Sequence, residues 1–284
     1  MNTANALYIV ATPIGNLDDI SKRAITVLQE ADIIAAEDTR HSARLCQMFN
    51  IETPLVPYHD HSNEQQTQRL LDRLQQGQSV ALISDAGTPL ISDPGYRLVR
   101  SAREAGIRVE PIPGACALIA ALSASGLPSD RFSFEGFLPA KNAARLTKLE
   151  ALAKDPRTLI FYESPHRIVD SLQAMASTFG ADREVVLARE ISKTFETFIS
   201  STFSGLQNIM ANDANQLKGE MVVLVQGYQQ AENNEQAISQ QAEKIMTVLL
   251  QELPVKQAAN LAAKITGEKK KMLYAWALQF KAEQ

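Results

Sequence analysis

The chain has 284 residues, a length suited to two ordinary cores rather than one. Its apolar content of 45% is usual for a globular protein, and no apolar run approaches the roughly 18 residues needed to span a bilayer. A formal charge of −4 excludes a protein that coats nucleic acid with its whole surface and leaves room for a local basic patch. Residues 1–6 are short and polar and lead straight into a strand, so no signal peptide is expected. Two cysteines, Cys46 and Cys116, make no disulfide framework and read as small buried hydrophobes of a reducing cytoplasm.

The first part of the chain alternates strand and helix signals. A buried strand is predicted over residues 7–11, then a helix capped by Asp19 with Ile20, Ala24, Val27 and Leu28 on one face. Residues 33–36 read as a second strand and 42–49 as a second helix. A polar helix from Asn63 turns Leu70, Leu71 and Leu74 inward. A strand over 80–83, a loop, and a helix ending at Ala105 with Leu98, Val99 and Ala102 inward come next. A strand over 107–112 and a small-residue helix over 115–124 complete a βαβ series, which predicts a largely parallel sheet.

Residues 126–130 break the pattern, and the segment to Ala140 reads as a bridge. Beyond it lie a helix over 145–153, a strand over 158–162, a helix from near Pro165, and strands over 184–188, 194–200 and 221–225. Strands this closely spaced predict a mixed sheet. Residues 229–236, rich in Gln, Glu and Asn, read as a linker, and the remainder as helical with breaks at Pro254 and Gly267.

Polar motifs recur at the predicted strand ends. The most informative is Ile-Ser-Asp-Ala-Gly-Thr-Pro-Leu-Ile-Ser-Asp-Pro-Gly over 83–95. Two aspartates, two glycines and two prolines exceed what a tight turn needs, and they lie where open α/β sheets place ligands. Val-Ala-Thr-Pro-Ile-Gly-Asn over 10–16 closes the first strand, with Gly15 permitting close backbone approach and Pro13 stiffening it. It lacks the three glycines of a dinucleotide fingerprint, and a plain strand-to-helix turn explains it equally well. Ala-Glu-Asp-Thr-Arg-His over 36–41 packs three charges and a histidine into one turn, where a helix cap by Asp38 or Thr39 is the simpler alternative. Pro-Ile-Pro-Gly-Ala-Cys over 111–116 uses small residues that either admit a ligand to helix-terminal N–H groups or allow close packing.

The second half adds Phe-Tyr-Glu-Ser-Pro-His-Arg over 161–167, where Glu163 suits a hydroxyl and His166 and Arg167 suit phosphate. Arg189 with Glu190, Lys193 with Glu196, and Lys218 to Met221 place further charge at strand ends; each alone is as well explained by a surface ion pair. His59-Asp60-His61 puts two imidazoles on one face of an extended segment, but no third ligand stands at a diagnostic spacing and no metal is expected. From Leu253 to Lys281 there are six lysines (Lys256, Lys264, Lys269, Lys270, Lys271 and Lys281) against one acid, Glu268. Two apolar helix faces flank Thr266-Gly267, a helix-turn-helix outline with lysines at its turn that suits phosphate contact.

Taken together the motifs resemble the tetrapyrrole-methylase superfamily of S-adenosylmethionine-dependent methyltransferases over about the first four-fifths of the chain. The superfamily's V-G-x-G-P-G-D turn is similar to residues 10–16, with Ala11 and Pro13 in place of glycines and Asn16 in place of the acid. Thr-Pro-Ile-Gly-Asn-Leu (12–17), Ala-Glu-Asp-Thr-Arg (36–40), Ser-Asp-Ala-Gly-Thr-Pro (84–89), Phe-Tyr-Glu-Ser-Pro-His-Arg (161–167) and Lys-Gly-Glu (218–220) resemble the bacterial branch that methylates a cytidine 2′ hydroxyl in the decoding centre of 16S ribosomal RNA. That branch also carries a C-terminal helix-turn-helix-like region.

The resemblance implies two α/β domains, over 1–125 and 126–228, with the cofactor between them, and a helical RNA-contact region over 229–284. It implies S-adenosylmethionine contacts from Pro13, Gly15, Asp85, Ala86, Gly87, Thr88, Pro89, Pro113, Gly114, Ala115 and Ala117 in the first domain. Tyr162, Gly219, Glu220 and Met221 would supply the contacts in the second. Asp38, His41, Asp93 and Glu163 stand as candidates for general base or hydroxyl orientation. RNA contact falls to Arg40, His166, Arg167, Arg189 and Lys193 together with Lys256, Lys264, Lys269, Lys270 and Lys271. Partners are then 16S ribosomal RNA within the small subunit and a second copy of the chain, in the cytoplasm, with neither membrane nor metal. Methylation of a tetrapyrrole, or an RNA-binding assembly factor without catalysis, are the competing readings.

Overall fold

A computed structural model describes residues 6–59, 62–229 and 238–282. Residues 1–227 form one unit and residues 228–284 another. Short apolar runs build the first sheet: β1 (Ala6–Val10), β2 (Ile33–Ala36), β3 (Leu55–Pro57), β4 (Val80–Ile83) and β5 (Arg108–Ile112), all parallel, in the order β3-β2-β4-β1-β5. β2 and β4 are buried at every residue, as strands covered on both faces must be. Helices α1 (Lys22–Glu30) and α2 (Thr39–Met48) bury Ala24, Val27, Leu28 and Cys46 against one face. α3 (Glu64–Gln75) and α4 (Tyr96–Glu104) bury Leu70, Leu74, Leu98 and Ala102 against the other. β1 leads to β2 on one side of the sheet and β4 leads to β5 on the other. The carboxyl ends of β1 and β4 therefore flank the switch point where such sheets bind ligands.

α5 (Ala117–Ser125) leaves this sheet and packs Leu118, Ala121 and Leu122 on the second, against Ile160, Val186, Ala188 and Val222. That sheet has β6 (Phe132–Phe137), β7 (Thr158–Glu163), β8 (Glu184–Arg189), β9 (Thr197–Thr202) and β10 (Met221–Val225) in the order β6-β7-β10-β8-β9. β6 runs parallel to β7 with a register shift between Phe134 and Gly136, and the other pairs are antiparallel, giving the expected mixed sheet. α6 (Asn142–Leu152), α7 (Ile168–Phe179) and α8 (Phe203–Asn212) cover its outer face. Phe161 and Phe203 are fully buried there, each contributing about 1.5–3 kcal/mol through burial.

Local chemistry moved several boundaries. Ser21, not Asp19, caps α1, its hydroxyl accepting from Ala24 N at 3.1 Å; Asp19 ends a short 3-10 turn (Leu17–Asp19). α2 starts three residues earlier than predicted because the Asp38 carboxylate caps it, accepting from Arg40 N and His41 N. The segment read as a bridge holds β6, whose register shift and Gly136 at φ 63° obscure its alternation. β9 begins at Thr197 because residues 190–196 are spent on a turn, in which Lys193 N donates to Glu190 O and Glu196 N to Lys193 O. β3 and α8 had no sequence prediction.

In the C-terminal unit α9 (Gln240–Glu252), α10 (Val255–Thr266) and α11 (Lys270–Ala282) share a small core of Ala242, Met246, Ala258, Ala262, Leu273 and Ala277. Pro254 precedes α10, and Gly267 ends it at φ 76°, a conformation that favours glycine. Residues 230–236 of the predicted linker, and Asp60 and His61 of the His59-Asp60-His61 segment weighed for metal, lie outside the described residues. Among the described residues no helix is long and apolar enough to cross a membrane, and no cluster of three metal-ligating side chains occurs.

Candidate active cleft

The loops after β1, β4 and β5 are stitched into one wall. Thr12 N donates to Gly87 O at 2.9 Å and Gly87 N to Thr12 O at 3.0 Å, joining the 10–16 and 83–95 motifs as a two-residue bridge. Thr88 Oγ1 donates to Ala115 O at 3.0 Å and so ties the 83–95 loop to the turn after β5. Asp38 N donates to Asp85 Oδ1 at 3.1 Å, which draws in the turn after β2. Leu90 and Ser92 adopt φ of 74° and 64°, a left-handed backbone that non-glycine residues hold only when their surroundings enforce it.

Opposite this wall, Tyr162 rises from β7. Its hydroxyl accepts from Leu118 N at 3.1 Å, satisfying an otherwise open amide in the first turn of α5. Phe134 packs edge-on against the ring at 4.8 Å, and Phe137 at 5.8 Å. Burial, with a smaller contribution from Cys116, raises the Tyr162 phenol well above its ordinary range, so it stays neutral.

Between these walls lies a cleft of about 310 Å³, at the lower end of the range for small-molecule sites. Ile14, Ile91, Tyr162, Met221 and Val222 supply apolar surface, while Asp93, Glu220 and the backbone of Ala86 to Thr88 supply polar groups. A second cavity of about 340 Å³ adjoins it, lined by Pro13, Gly15, His41, Arg44, Asp85 and Lys193 among others. The two share Ile14, Ala86 and Glu220.

Glu220 belongs to a braced cluster. Glu190 Oε1 accepts from Glu220 N at 2.9 Å and from Lys193 Nζ at 3.0 Å, and Lys193 Nζ lies 3.1 Å from Glu220 Oε2. Desolvation pulls the Lys193 ammonium down, but its hydrogen bonds to the two carboxylates and their charges outweigh that and leave it raised. Ser192 hydroxyl donates to Asp19, a further tie between the β8–β9 turn and the first sheet's loops.

The structure therefore brings Ala86, Gly87, Thr88, Asp93, Ala117, Tyr162, Glu163, Glu220 and Met221 to the first cleft, and Pro13, Gly15, His41, Asp85 and Lys193 to the second cavity. Ala115 faces a separate depression. Pro89, Pro113, Gly114 and Gly219 line none of the three and shape backbone: a Cβ on Gly114 would lie 2.9 Å from Ala11 Cβ. Asp38 is the cap of α2, and its bonds from Arg40 N and His41 N hold its carboxyl below the ordinary range.

Three charged residues turn inward. Glu163 is 3% exposed, with its carboxylate accepting from Ser164 N and Ser171 Oγ and facing Arg167 Nε at 3.6 Å. Arg167 also donates to Leu138 O, and buried Arg189 donates to Lys218 O at 3.0 Å. These groups brace the lobe, whereas Arg40 and His166 are exposed. In the C-terminal unit Lys256, Lys264, Lys269, Lys270 and Lys271 are all exposed. Glu268, the one acid between Leu253 and Lys281, is occupied by Ser239, whose N and Oγ both donate to it. Sequence reasoning missed Ile14, Ile91, Phe137, Ser42 and Arg44 as lining residues; for Ile14 and Ile91 only membership of the motif loops gave a signal.

A parallel sheet with a switch-point cleft, closed by a mixed sheet, defines a methylase architecture. The chain belongs to the family of tetrapyrrole (corrin/porphyrin) methylases, whose model matches residues 6–207, and residues 236–281 match the RsmI C-terminal HTH domain. It is 59% identical over 277 residues to ribosomal RNA small subunit methyltransferase I of Pseudomonas aeruginosa, covering 98% of each chain. It is 56% identical over 278 residues to the protein of that name in Vibrio cholerae, covering 98% of this chain and 96% of the other. In fold it is similar to uroporphyrin-III C-methyltransferase from Thermus thermophilus, with TM-score 0.56 and 21% identity over 78% of this chain and 94% of that one. A Thermus thermophilus uroporphyrin-III C-methyltransferase complexed with S-adenosylhomocysteine superposes with TM-score 0.52 at 18% identity, covering 77% and 96%.

Proposed function

We propose that the chain transfers the methyl group of S-adenosylmethionine to the 2′ oxygen of a decoding-centre cytidine in bacterial 16S ribosomal RNA. The observation that carries this reading is near-full-length identity of 54–59% to proteins named ribosomal RNA small subunit methyltransferase I. The cleft suits the cofactor. Apolar walls around Tyr162 and Met221 accept a purine, backbone groups of residues 86–88 accept hydrogen bonds, and Asp93 and Glu220 favour a cationic ligand. When bound, S-adenosylmethionine supplies a methyl carbon already activated on a sulfonium.

The protein's own part is alignment and exclusion of water. The 12–17 and 84–95 loops, locked by the Thr12–Gly87 bridge, hold one side of the cleft, and Tyr162 with Phe134 and Phe137 the other. Such positioning accounts for most of what an in-line transfer requires. The exposed lysines of the C-terminal unit are assigned to the RNA backbone. Lys269, Lys270 and Lys271 sit at the amino end of α11, where cations disfavour the helix dipole and a phosphate relieves the repulsion. A homodimer in the cytoplasm belongs to the same reading.

Incubating the protein with methyl-labelled S-adenosylmethionine and unmethylated small ribosomal subunits, followed by ribose-resolved nucleotide analysis, tests it. Label in a 2′-O-methylcytidine of 16S RNA is expected. Label only in an added tetrapyrrole, or tight RNA binding with no transfer, refutes it.

A further inference from the structure

The second cavity is built as a seat. Its α2 wall presents Ser42, which is 2% exposed and whose hydroxyl has no hydrogen-bond partner. A buried hydroxyl left unmade costs about 1–3 kcal/mol, so this one points to a ligand group. Met48 and Leu17 line the same cavity while 63% and 39% exposed, an apolar pair of the kind a nucleobase face covers. Arg44 stands exposed beside them with the fork geometry that grips phosphate.

The wall shared with the cofactor cleft carries further signs of purpose. Glu190 and Ser192 hold φ of 52° and 68°, each a strain of about 1–3 kcal/mol for a non-glycine residue. Directly after them Lys193 crosses Gly15, where a Cβ would lie 2.5 Å from Lys193 Cγ. The strained turn and the missing Cβ together deliver an ammonium to Glu220, whose side chain nevertheless remains 76% exposed. A lysine bridging two carboxylates keeps its own proton. The group on this wall able to receive one is the Glu220 carboxylate.

We propose that the second cavity seats the acceptor nucleotide and that Glu220 takes the proton of its 2′ hydroxyl, with Lys193 as the positioning residue. The proposal rests on the ribose-methylation reading above. In the step, the O2′–H bond breaks to a Glu220 carboxylate oxygen as the O2′–methyl bond forms. The carbon–sulfur bond breaks with its electron pair kept on sulfur, which departs as a neutral thioether.

The test uses the full chain: saturating methyl transfer to small ribosomal subunits, calorimetric affinity for S-adenosylhomocysteine, and thermal melting. Glu220→Gln is expected to lower saturating kcat by about 100-fold or more, with KM for subunits within about twofold of the parent and affinity within about twofold for S-adenosylhomocysteine, a thioether with no sulfonium charge for Glu220 to favour. Arg44→Glu, on an exposed helix face, is expected to raise KM for subunits about tenfold with kcat held. Lys193→Met should lose kcat and Lys193→Arg should recover it to within about threefold, whereas a purely structural lysine would move melting and leave kcat alone. A Glu220→Gln kcat within about threefold of the parent, or its loss of S-adenosylhomocysteine affinity, overturns the proton-transfer role. An unchanged KM in Arg44→Glu overturns the seat. If the parent itself binds S-adenosylhomocysteine but methylates no ribose, the underlying reading fails, and the parent reaction alone reveals it.

Discussion

Gly219→Ala probes the braced wall at its tightest point. Gly219 has φ +86°, and a Cβ there would lie 2.4 Å from both Cγ and Cδ of Glu190 and 2.5 Å from its Oε1. The backbone term alone is about 1–2 kcal/mol for an L residue in the left-handed region. Glu190 has no free swing, because Oε1 holds both Glu220 N at 2.9 Å and Lys193 Nζ at 3.0 Å. Displacing it forfeits two charge-assisted bonds, each about 1–1.5 kcal/mol after allowance for partial exposure. The sum is roughly 3–5 kcal/mol, or about 10 °C in melting temperature for a unit of this size. Differential scanning calorimetry of the full chain at pH 7 measures it. The companion Glu190→Ala removes the colliding atoms, so in that background Gly219→Ala should cost only the backbone term, a coupling that a double-mutant cycle reads directly. A fall of under about 2 °C in the single variant, or equal costs in both backgrounds, refutes the reasoning.

Tyr162→Phe leaves Leu118 N without its acceptor in the first turn of α5 and should cost about 1–2 kcal/mol, with weaker S-adenosylhomocysteine binding by calorimetry. Asp32 accepts from Ser79 N at 2.7 Å and Ser79 Oγ at 2.8 Å, and these bonds, the backbone one foremost, lower its carboxyl below the ordinary value. A depressed folded value means the stabilisation is present above the unfolded carboxyl's pH and fades as pH falls through the folded one. Asp32→Asn should therefore destabilise at pH 7, by about 0.5–1 kcal/mol for hydrogen bonds at so exposed a residue, and converge on the parent in acid-titrated melts once the native carboxyl is protonated. Replacing Lys269, Lys270 and Lys271 together by alanine should flatten the log-affinity against log-salt slope for small subunits by about 2 units, without moving S-adenosylhomocysteine affinity.

How much of this was legible depends on whether the signal was local. β1, β2, β4 and β10 are buried on both faces, so their apolar runs announced them and the parallel and mixed sheets followed. Caps were less legible because several polar residues compete: Asp18, Asp19 and Ser21 all precede α1, and only the geometry selects Ser21. β6 hid because its register shift and Gly136 interrupt alternation, and β9 starts later than its predicted strand because Thr194 to Glu196 look extended in sequence yet lie in a turn.

The site divides along the same line. Motif loops at strand ends were readable, since Gly and Pro in excess of what a turn needs are a local signal. Which charges face the cleft was not. Arg167 and Arg189 look functional at strand ends, yet each finds its partner inside the lobe, at Leu138 and Lys218, and Glu163 borders the cleft with its carboxylate already committed to Ser164 and Ser171. Gly15 and Gly219 show why. In the sequence each is a loop glycine in a recognisable motif, but the atoms that forbid a side chain there belong to Lys193 and Glu190, 178 and 29 positions away. A glycine's reason often lies in a distant residue's side chain. Here two glycines from different lobes clear space for one strained turn, and the turn directs a single carboxylate at the wall between two cavities.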